Sequence, residues 1–403
     1  MITEYSKKKI IKSLQKGKYR YQKTPETLLK ENYGIYIHVP FCVKKCTFCP
    51  FYKENFREER KNEYIEALLN EIKQKDISGK PSWIYFGGGT PNVLSTEDLK
   101  KIIYTLNEKI DISEIGIEVL PALINTEYIA ELKKIGFTRI SFGIQSLHEN
   151  ILKTNNRLYS NPVMIYELVK TAKKHDFWVN IDVIVGLPGQ STETFYDDIK
   201  QIIKFEPSQI ATYPYLFFQN VTTVSDMSVK KQFELMEEAG KLLNNYKRKC
   251  IWIFSKEDKI SDLARDELIY DYVGFGPGAC STYGNWKIVN PELDIYLNNY
   301  RNNLNYSLVA SKNNKSNDWR KFARMINDLK CYTDNKNYPM YLNLFISLLK
   351  LSGYSKNNLL TRKGLFFAHE ITKTLVESLP SPLRNTSFIE NYSEYKNAAK
   401  NPS

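Results

Sequence analysis

The chain has 403 residues, 42 % of them apolar and 25 % charged, with a formal net charge of +12. That length buries a large core and predicts one barrel-sized domain with a smaller appendage, and no apolar run approaches the roughly 18 residues of a membrane span. The excess lysines are spread among asparagines and tyrosines without an RNP, helix-turn-helix or arginine-rich signature, so a solvated basic surface is expected and a nucleic-acid partner is not. The first residues lack the apolar core of a secretory signal, and three of the six cysteines are clustered while Cys250, Cys280 and Cys331 are scattered, which is no disulfide framework. A cytoplasmic, reducing location is expected.

After an N-terminal extension over 1–30, strand-like and helix-like patterns alternate. GIYIHVPF, Gly34 to Phe41, reads as a strand and leads into PFCVKKCTFCPFY. KNEYIEALLNEIKQK from Lys61 has helical spacing, and SWIYFGGG is a second strand ending in glycines. A helix near Thr96 to Asn107, the strand Glu114 to Leu120 and the helix TEYIAELKKIG follow. Then come TRISFGIQS from Thr138, helical turns through Lys174, FWVNIDVIVGL from Phe177, the helix TETFYDDIKQIIKF and a sixth strand ending near Phe217. Repeats of this kind predict parallel strands with helical crossovers, curling into a partial (β/α)6 barrel over 31–220 whose active site lies at the C-terminal strand ends. Beyond it the pattern predicts a helix from Lys230 to Lys249, the strand CIWIFS and the loop GFGPGACS. A smaller, aromatic-rich C-terminal accessory α+β domain over 221–390 and a frayed polar tail over 391–403 complete the reading.

The cysteines carry the chemistry. Cys42, Cys46 and Cys49 stand as C-x3-C-x2-C directly after an apolar strand. Soft thiolates select iron–sulfur or zinc, and a closed zinc site wants a fourth protein ligand at a fixed offset. Three thiolates around a [4Fe-4S] cluster leave one iron open to a small chelating ligand; a zinc knuckle completed by His38 is the plainer alternative. YFGGGTP, with Gly88, Gly89 and Thr90, ends the second strand with backbone that can approach a ligand closely. Glu118, Gln145, Arg157 and Asp182 interrupt or follow apolar strands and form a ring at the strand ends. Each alone is more simply a paired structural group, but a forked guanidinium suits a carboxylate, and the other three suit an amine and hydroxyls.

Taken together, these motifs resemble the radical S-adenosylmethionine superfamily. Y-x-H-V-P-F-C, F-G-G-G-T-P, I-E-V-x-P, R-I-S-F-G-I-Q-S and N-I-D-V-I-x-G-L-P-G-Q, spread over Tyr36 to Gln190, resemble its oxygen-independent coproporphyrinogen III oxidase-like family. The resemblance implies a [4Fe-4S] cluster on the three cysteines, with S-adenosylmethionine flanked by Tyr36 and Phe48 and held by Gly88, Gly89, Thr90, Glu118, Gln145, Arg157 and Asp182. It implies reductive cleavage of that cofactor to a 5′-deoxyadenosyl radical, a small-molecule substrate, and an electron donor such as flavodoxin or ferredoxin. The coproporphyrinogen oxidases proper carry a further cysteine where this chain has Phe51. That departure favours the methyltransferase and cyclopropane-forming branch, in which a second S-adenosylmethionine donates carbon, with Tyr213, Tyr215, Gly276 and Gly278 as candidates for the second site. A porphyrinogen decarboxylase and a heme chaperone-like protein are the alternatives. Tyr213 and Tyr215 also have a simpler reading as packing residues of the sixth strand.

Overall fold

In the central strands an apolar residue alternates with a glycine or a polar one. That period of two gives each strand an apolar face for helices and a second face for a polar interior. The computed structural model describes residues 2–14, 18–27, 29–112, 114–218, 221, 223–258, 271–312, 314–331, 338–377 and 381–398. Strands β1 (Tyr33–Val39), β2 (Trp83–Gly88), β3 (Ile115–Val119), β4 (Arg139–Gln145), β5 (Trp178–Val185) and β6 (Gln209–Pro214) pair side by side, all parallel. Crossover helices α1 (Glu58–Gln74), α2 (Thr96–Asn107), α3 (Thr126–Ile135), α4 (Pro162–Lys174) and α5 (Thr192–Phe205) lie between them in sequence. This is the α/β arrangement of parallel strands and helical crossovers expected from the sequence.

Local chemistry starts the helices where the strands leave off. Ser95, Asn125, Asn161 and Ser191 each accept, through the side chain, a backbone N–H of the first turn of α2, α3, α4 and α5. Such caps contribute about 1 kcal/mol each. The apolar strand faces carry Ile35, Ile37, Phe86, Ile117, Phe142, Ile181 and Val183. They join Leu68, Leu99, Ile129, Val169 and Ile199 of the helices in one buried core.

The sheet does not end with the sixth strand. Asp271–Phe275 pairs parallel with β1 on its free edge, so a further parallel strand extends the barrel there. Cys280–Tyr283, Trp286–Val289, Tyr306–Ser311 and finally Arg20–Lys23 continue antiparallel beyond it. At the other edge β6 meets Ile253–Ser255 and then Lys247–Cys250, completing a sheet of 13 strands among the described residues. The helix expected over Lys230 to Lys249 spans Val229–Leu242 instead, and the last residues of that segment are strand. Asn244 and Asn245 end it, because their side chains compete for backbone bonds and favour turns.

The N-terminal helix Ile2–Leu14 lies against Arg362–Glu377, with Lys7 Nζ 2.9 Å from Glu370 Oε1. The tail is ordered further than its polarity suggested. Tyr392–Asn397 is a short helix with Tyr395 buried, and the Asn391 side chain bonds both the N–H and the C=O of Tyr21. Residues 399–403 lie outside the described residues. Among the described residues no helix is long and apolar enough to cross a membrane.

Candidate functional site

At the C-terminal end of β1 the chain turns into the cysteine loop, and His38 fastens that turn. Its Nε2 lies 3.0 Å from the Tyr52 carbonyl, which can only accept, so the ring proton sits on Nε2 and Nδ1 accepts from the Tyr36 hydroxyl at 3.2 Å. Burial lowers the His38 pKa to about 4, against the pull of the Tyr52 carbonyl, and the ring is neutral. His38 is thus a fastener between strand and loop with both nitrogens engaged, as a core histidine should be.

Cys42 is buried, and Cys46 and Cys49 are half-buried, all as free thiols. Thr90 Oγ1 donates to Cys42 Sγ at 3.5 Å and Arg157 Nη1 to Cys46 Sγ at 3.4 Å. Lys53 Nζ bonds the Cys49 carbonyl at 2.6 Å. Burial pushes the Cys42 thiol up to about 11, with the Thr90 hydroxyl opposing, and burial also raises Cys49 against the nearby Lys53 charge. Thiols held this way shed their protons to a metal rather than to water. No three of the described His, Cys, Asp and Glu side chains close around a single metal ion. With both His38 nitrogens engaged by Tyr36 and Tyr52, the three soft thiolates have no fourth ligand from that ring to close a zinc site, and three thiolates alone suit an iron–sulfur core. The donor set fits the cluster.

The glycine motif lies against this loop. Gly89 N–H donates to the Val39 carbonyl at 2.7 Å, and a Cβ at Gly89 would sit 2.7 Å from the Phe41 carbonyl oxygen. Gly88 has φ +111°, and a Cβ there would meet the His38 ring at 2.7 Å. Only glycine fits either position.

The polar ring gathers around Gly143 in the middle of β4. A Cβ at that glycine would lie 3.0 Å from Arg157 Nη2, 3.3 Å from Gln145 Nε2 and 3.5 Å from Glu118 Oε1, so three of the four expected side chains converge on one point. Gln145 reaches it because the β4–β5 register slips after Asp182, leaving Gln145 at φ +68°. Arg157 Nη2 also donates to the Gly143 carbonyl, while its Nε is buried without a partner, as is Thr47 Oγ1 in the cysteine loop. Burial, and then the Asp182 charge, raise Glu118 to about 7 against the pull of Arg157. Asp182 accepts from Ser141 Oγ at 2.5 Å and Asn180 Nδ2 at 2.8 Å, and Gln209 Nε2 holds Asn180 Oδ1 at 2.9 Å.

Sequence reasoning missed part of this wall. Ser141 and Asn180 share the inward parity of Gly143 and Asp182, so counting by two from the named residues finds them. Tyr85 faces the same interior, its hydroxyl pKa raised well above the ordinary value by burial and by Glu118 and Asp182.

The remaining candidates divide. Phe48 packs with Ile151, Leu187, Tyr215 and Phe218 beside Cys46 and Cys49, so Tyr215 comes to the cysteine loop. Its hydroxyl bonds Thr223. Tyr213 lies instead with Ala211, Cys250 and Ile253, edge-on to Trp252 at 6.0 Å. Gly276 and Gly278, at φ +90° and +76°, press on the His38 carbonyl and the Tyr52 ring, where a Cβ would come within 2.4 and 2.6 Å. Their close packing accounts for the glycines.

Residues 36–202 match the family described as the Radical SAM superfamily. The heme chaperone HemW of Buchnera aphidicola subsp. Schizaphis graminum is 27 % identical over 381 residues, covering 85 % of this chain and 98 % of that protein. The HemW of Buchnera aphidicola subsp. Acyrthosiphon pisum is 31 % identical over 278 residues, 64 % of this chain and 72 % of its own. Among solved structures, the coproporphyrinogen III oxidase HemN of Escherichia coli, a radical SAM enzyme, aligns with a TM-score of 0.71 over 88 % of this chain and 91 % of its own, at 22 % identity. That likeness is one of fold.

Proposed function

Because the chain belongs to the radical SAM superfamily and, within it, to the family of the heme chaperones and coproporphyrinogen oxidases, we propose that it is a tetrapyrrole-handling protein that cleaves S-adenosylmethionine reductively. Proteins of this superfamily use a [4Fe-4S] cluster and S-adenosylmethionine. Cys42, Cys46 and Cys49 would hold the cluster, which supplies one electron for breaking the sulfonium bond of the cofactor when both are bound.

The observation that carries the reading is the convergence of Arg157, Gln145 and Glu118 over Gly143, beside Cys46. Arg157, with its unpaired Nε, takes the cofactor carboxylate. Glu118 and Gln145 receive the amine. Asp182, oriented by Ser141 and Asn180, presents its carboxylate toward ribose hydroxyls. Gly88, Gly89 and Thr90 bring backbone close to the methionine end, while Tyr36 and Phe48 wall the site and exclude water.

The choice of ligand follows the relatives. The chain spans nearly the whole length of a heme chaperone, and heme is the expected tetrapyrrole. The relatives described above are heme chaperones and a coproporphyrinogen oxidase, which favours tetrapyrrole handling over carbon transfer. Anaerobically reconstituted protein, reduced with dithionite, should form 5′-deoxyadenosine and bind heme with a shifted Soret band, and release no carbon dioxide from coproporphyrinogen. Label from the S-methyl group in a product would return the carbon-transfer reading. Absence of 5′-deoxyadenosine would end the proposal.

A further inference from the structure

An amphipathic helix buries one face and wets the other, but the helix Met340–Leu351, MYLNLFISLLKL, is apolar on both. Its inner face carries Leu342, Ile346 and Leu349 into the main core. On the outer face Met340 is 87 % exposed, Leu351 84 %, Leu344 64 %, Leu348 49 % and Tyr341 44 %. At about 3.6 residues per turn these five side chains fall within an arc of about 100°, so they form one ridge along the helix. Tyr341 marks its edge, where the hydroxyl donates to Asp318 Oδ2 at 2.9 Å.

The apolar surface continues past the helix. Gly353, at φ +77°, turns the chain out of it and into the two-stranded hairpin of Ser355–Lys356 and Leu359–Leu360, where Leu359 is exposed directly opposite Lys356. Scattered exposed apolar residues are ordinary, but six of the 18 exposed large apolar side chains among the described residues lie between Met340 and Leu359. That concentration sets this face apart from the rest of the surface. Its charge is equally one-sided: from Tyr338 to His369 the chain carries Lys350, Lys356, Arg362 and Lys363, all exposed, and no aspartate or glutamate. Lys363 Nζ is fixed at the helix end, 2.9 Å from the Ser352 carbonyl and 4.5 Å from the centre of the Tyr354 ring. The first carboxylate beyond this stretch, Glu370, is already paired with Lys7.

We propose that this ridge and hairpin dock the protein onto an anionic lipid surface, with Met340–Leu351 lying in the plane of the interface. The apolar ridge enters the boundary between headgroups and acyl chains, and Lys350, Lys356, Arg362 and Lys363 meet lipid phosphates. Charge selects this occupant over a second copy of the chain. A two-fold contact through the same face would set the four cations against their own counterparts, whereas an anionic surface neutralises them. The ridge is also convex, a row of flexible side chains that a fluid medium can close around. Binding here is peripheral and reversible, since one helix face is buried and nothing in it crosses the bilayer. The inference goes beyond the function proposed above and does not rest on it.

The test incubates the reconstituted, full-length protein with sedimentable vesicles of phosphatidylcholine alone or of phosphatidylcholine mixed with phosphatidylglycerol, and measures the bound fraction. The wild type should bind the mixed vesicles about tenfold or more tightly than the neutral ones, and raising salt should weaken that preference. Leu344→Glu/Leu351→Glu should lose about tenfold or more on mixed vesicles, because charges replace the centre and the end of the ridge. Lys350→Glu/Lys356→Glu should lose several-fold and flatten the salt dependence. Each variant should keep the wild-type denaturant midpoint and iron content, as the substituted side chains are exposed. No binding to mixed vesicles, equal binding to both kinds, or undiminished binding by Leu344→Glu/Leu351→Glu would overturn the docking face. A dimer dissolved by that same double substitution, seen by sedimentation equilibrium in a protein that ignores vesicles, would assign the face to a second copy and overturn it as well. None of these readings depends on cofactor cleavage, so a failed docking face leaves the proposed function untouched.

Discussion

Glu71 and Glu118 are both carboxylates inside the barrel wall with a cation nearby, yet their surroundings differ in kind. Glu71, on α1, has no solvent exposure and accepts from Lys75 Nζ at 2.7 Å, Asn290 Nδ2 at 2.8 Å, the Gly276 N–H at 2.7 Å and the Tyr296 hydroxyl at 2.6 Å. Lys75 in turn donates to the Gly274 carbonyl at 2.9 Å and lies over the Phe275 ring. Charge and hydrogen bonds are both satisfied within the protein. Glu118 shares its surroundings with a like charge, Asp182, and with an arginine whose Nε has no partner. A satisfied buried ion pair holds parts of a protein together, whereas an unsatisfied polar ring is arranged for something that arrives later.

The sharpest way to break this comparison is to remove Glu71. Glu71→Ala leaves Lys75 buried without its counter-ion and strips three further donors of their acceptor. The expected loss is about 3–5 kcal/mol of stability, read from the shift of the denaturant midpoint. A midpoint near wild type would show that the pair is not what ties α1 to the GFGPGA loop.

Arg157 should behave in the opposite way. Arg157→Ala removes a charge-assisted bond to the cofactor carboxylate and should weaken S-adenosylmethionine binding by about 1.5–3 kcal/mol in calorimetry. Its unfolding midpoint should scarcely move, since the guanidinium is only partly satisfied by protein. Native affinity with lowered stability would make Arg157 a structural residue like Glu71.

The two sites also differ in how far the sequence reveals them. The cysteine spacing, the GGGTP turn and the strand-end positions of Glu118, Gln145, Arg157 and Asp182 are local patterns, and the structure brings three of these four side chains to one glycine. Glu71 sits in an amphipathic helix where periodicity reads any glutamate as solvated. Its partners Gly276, Asn290 and Tyr296 lie 205, 219 and 225 positions away in the chain. Asp271–Phe275 escaped for a similar reason. Five residues before a glycine-rich loop carry no helical crossover to announce a parallel strand, and only the free edge of β1 gives it a place.

A third test probes Glu118 through pH. Its folded-state pKa is raised from 4.5 to about 7, chiefly by burial and next by Asp182. The folded protein therefore binds this proton more tightly than the unfolded chain, and the resulting stability is full below the ordinary carboxylate value and lost as pH rises through about 7. Glu118→Gln should flatten that decline between about pH 5 and pH 8. Cofactor binding should run the other way, because an ammonium group favours the ionised carboxylate and its arrival expels the proton. Affinity for S-adenosylmethionine should then rise with pH up to about 7 and level off, and the rise should vanish in Glu118→Gln. Asp182→Asn should move the midpoint of that rise only part of the way toward 4.5, since it removes the like charge and leaves the burial. A pH slope that survives in Glu118→Gln would mean that another group meets the amine.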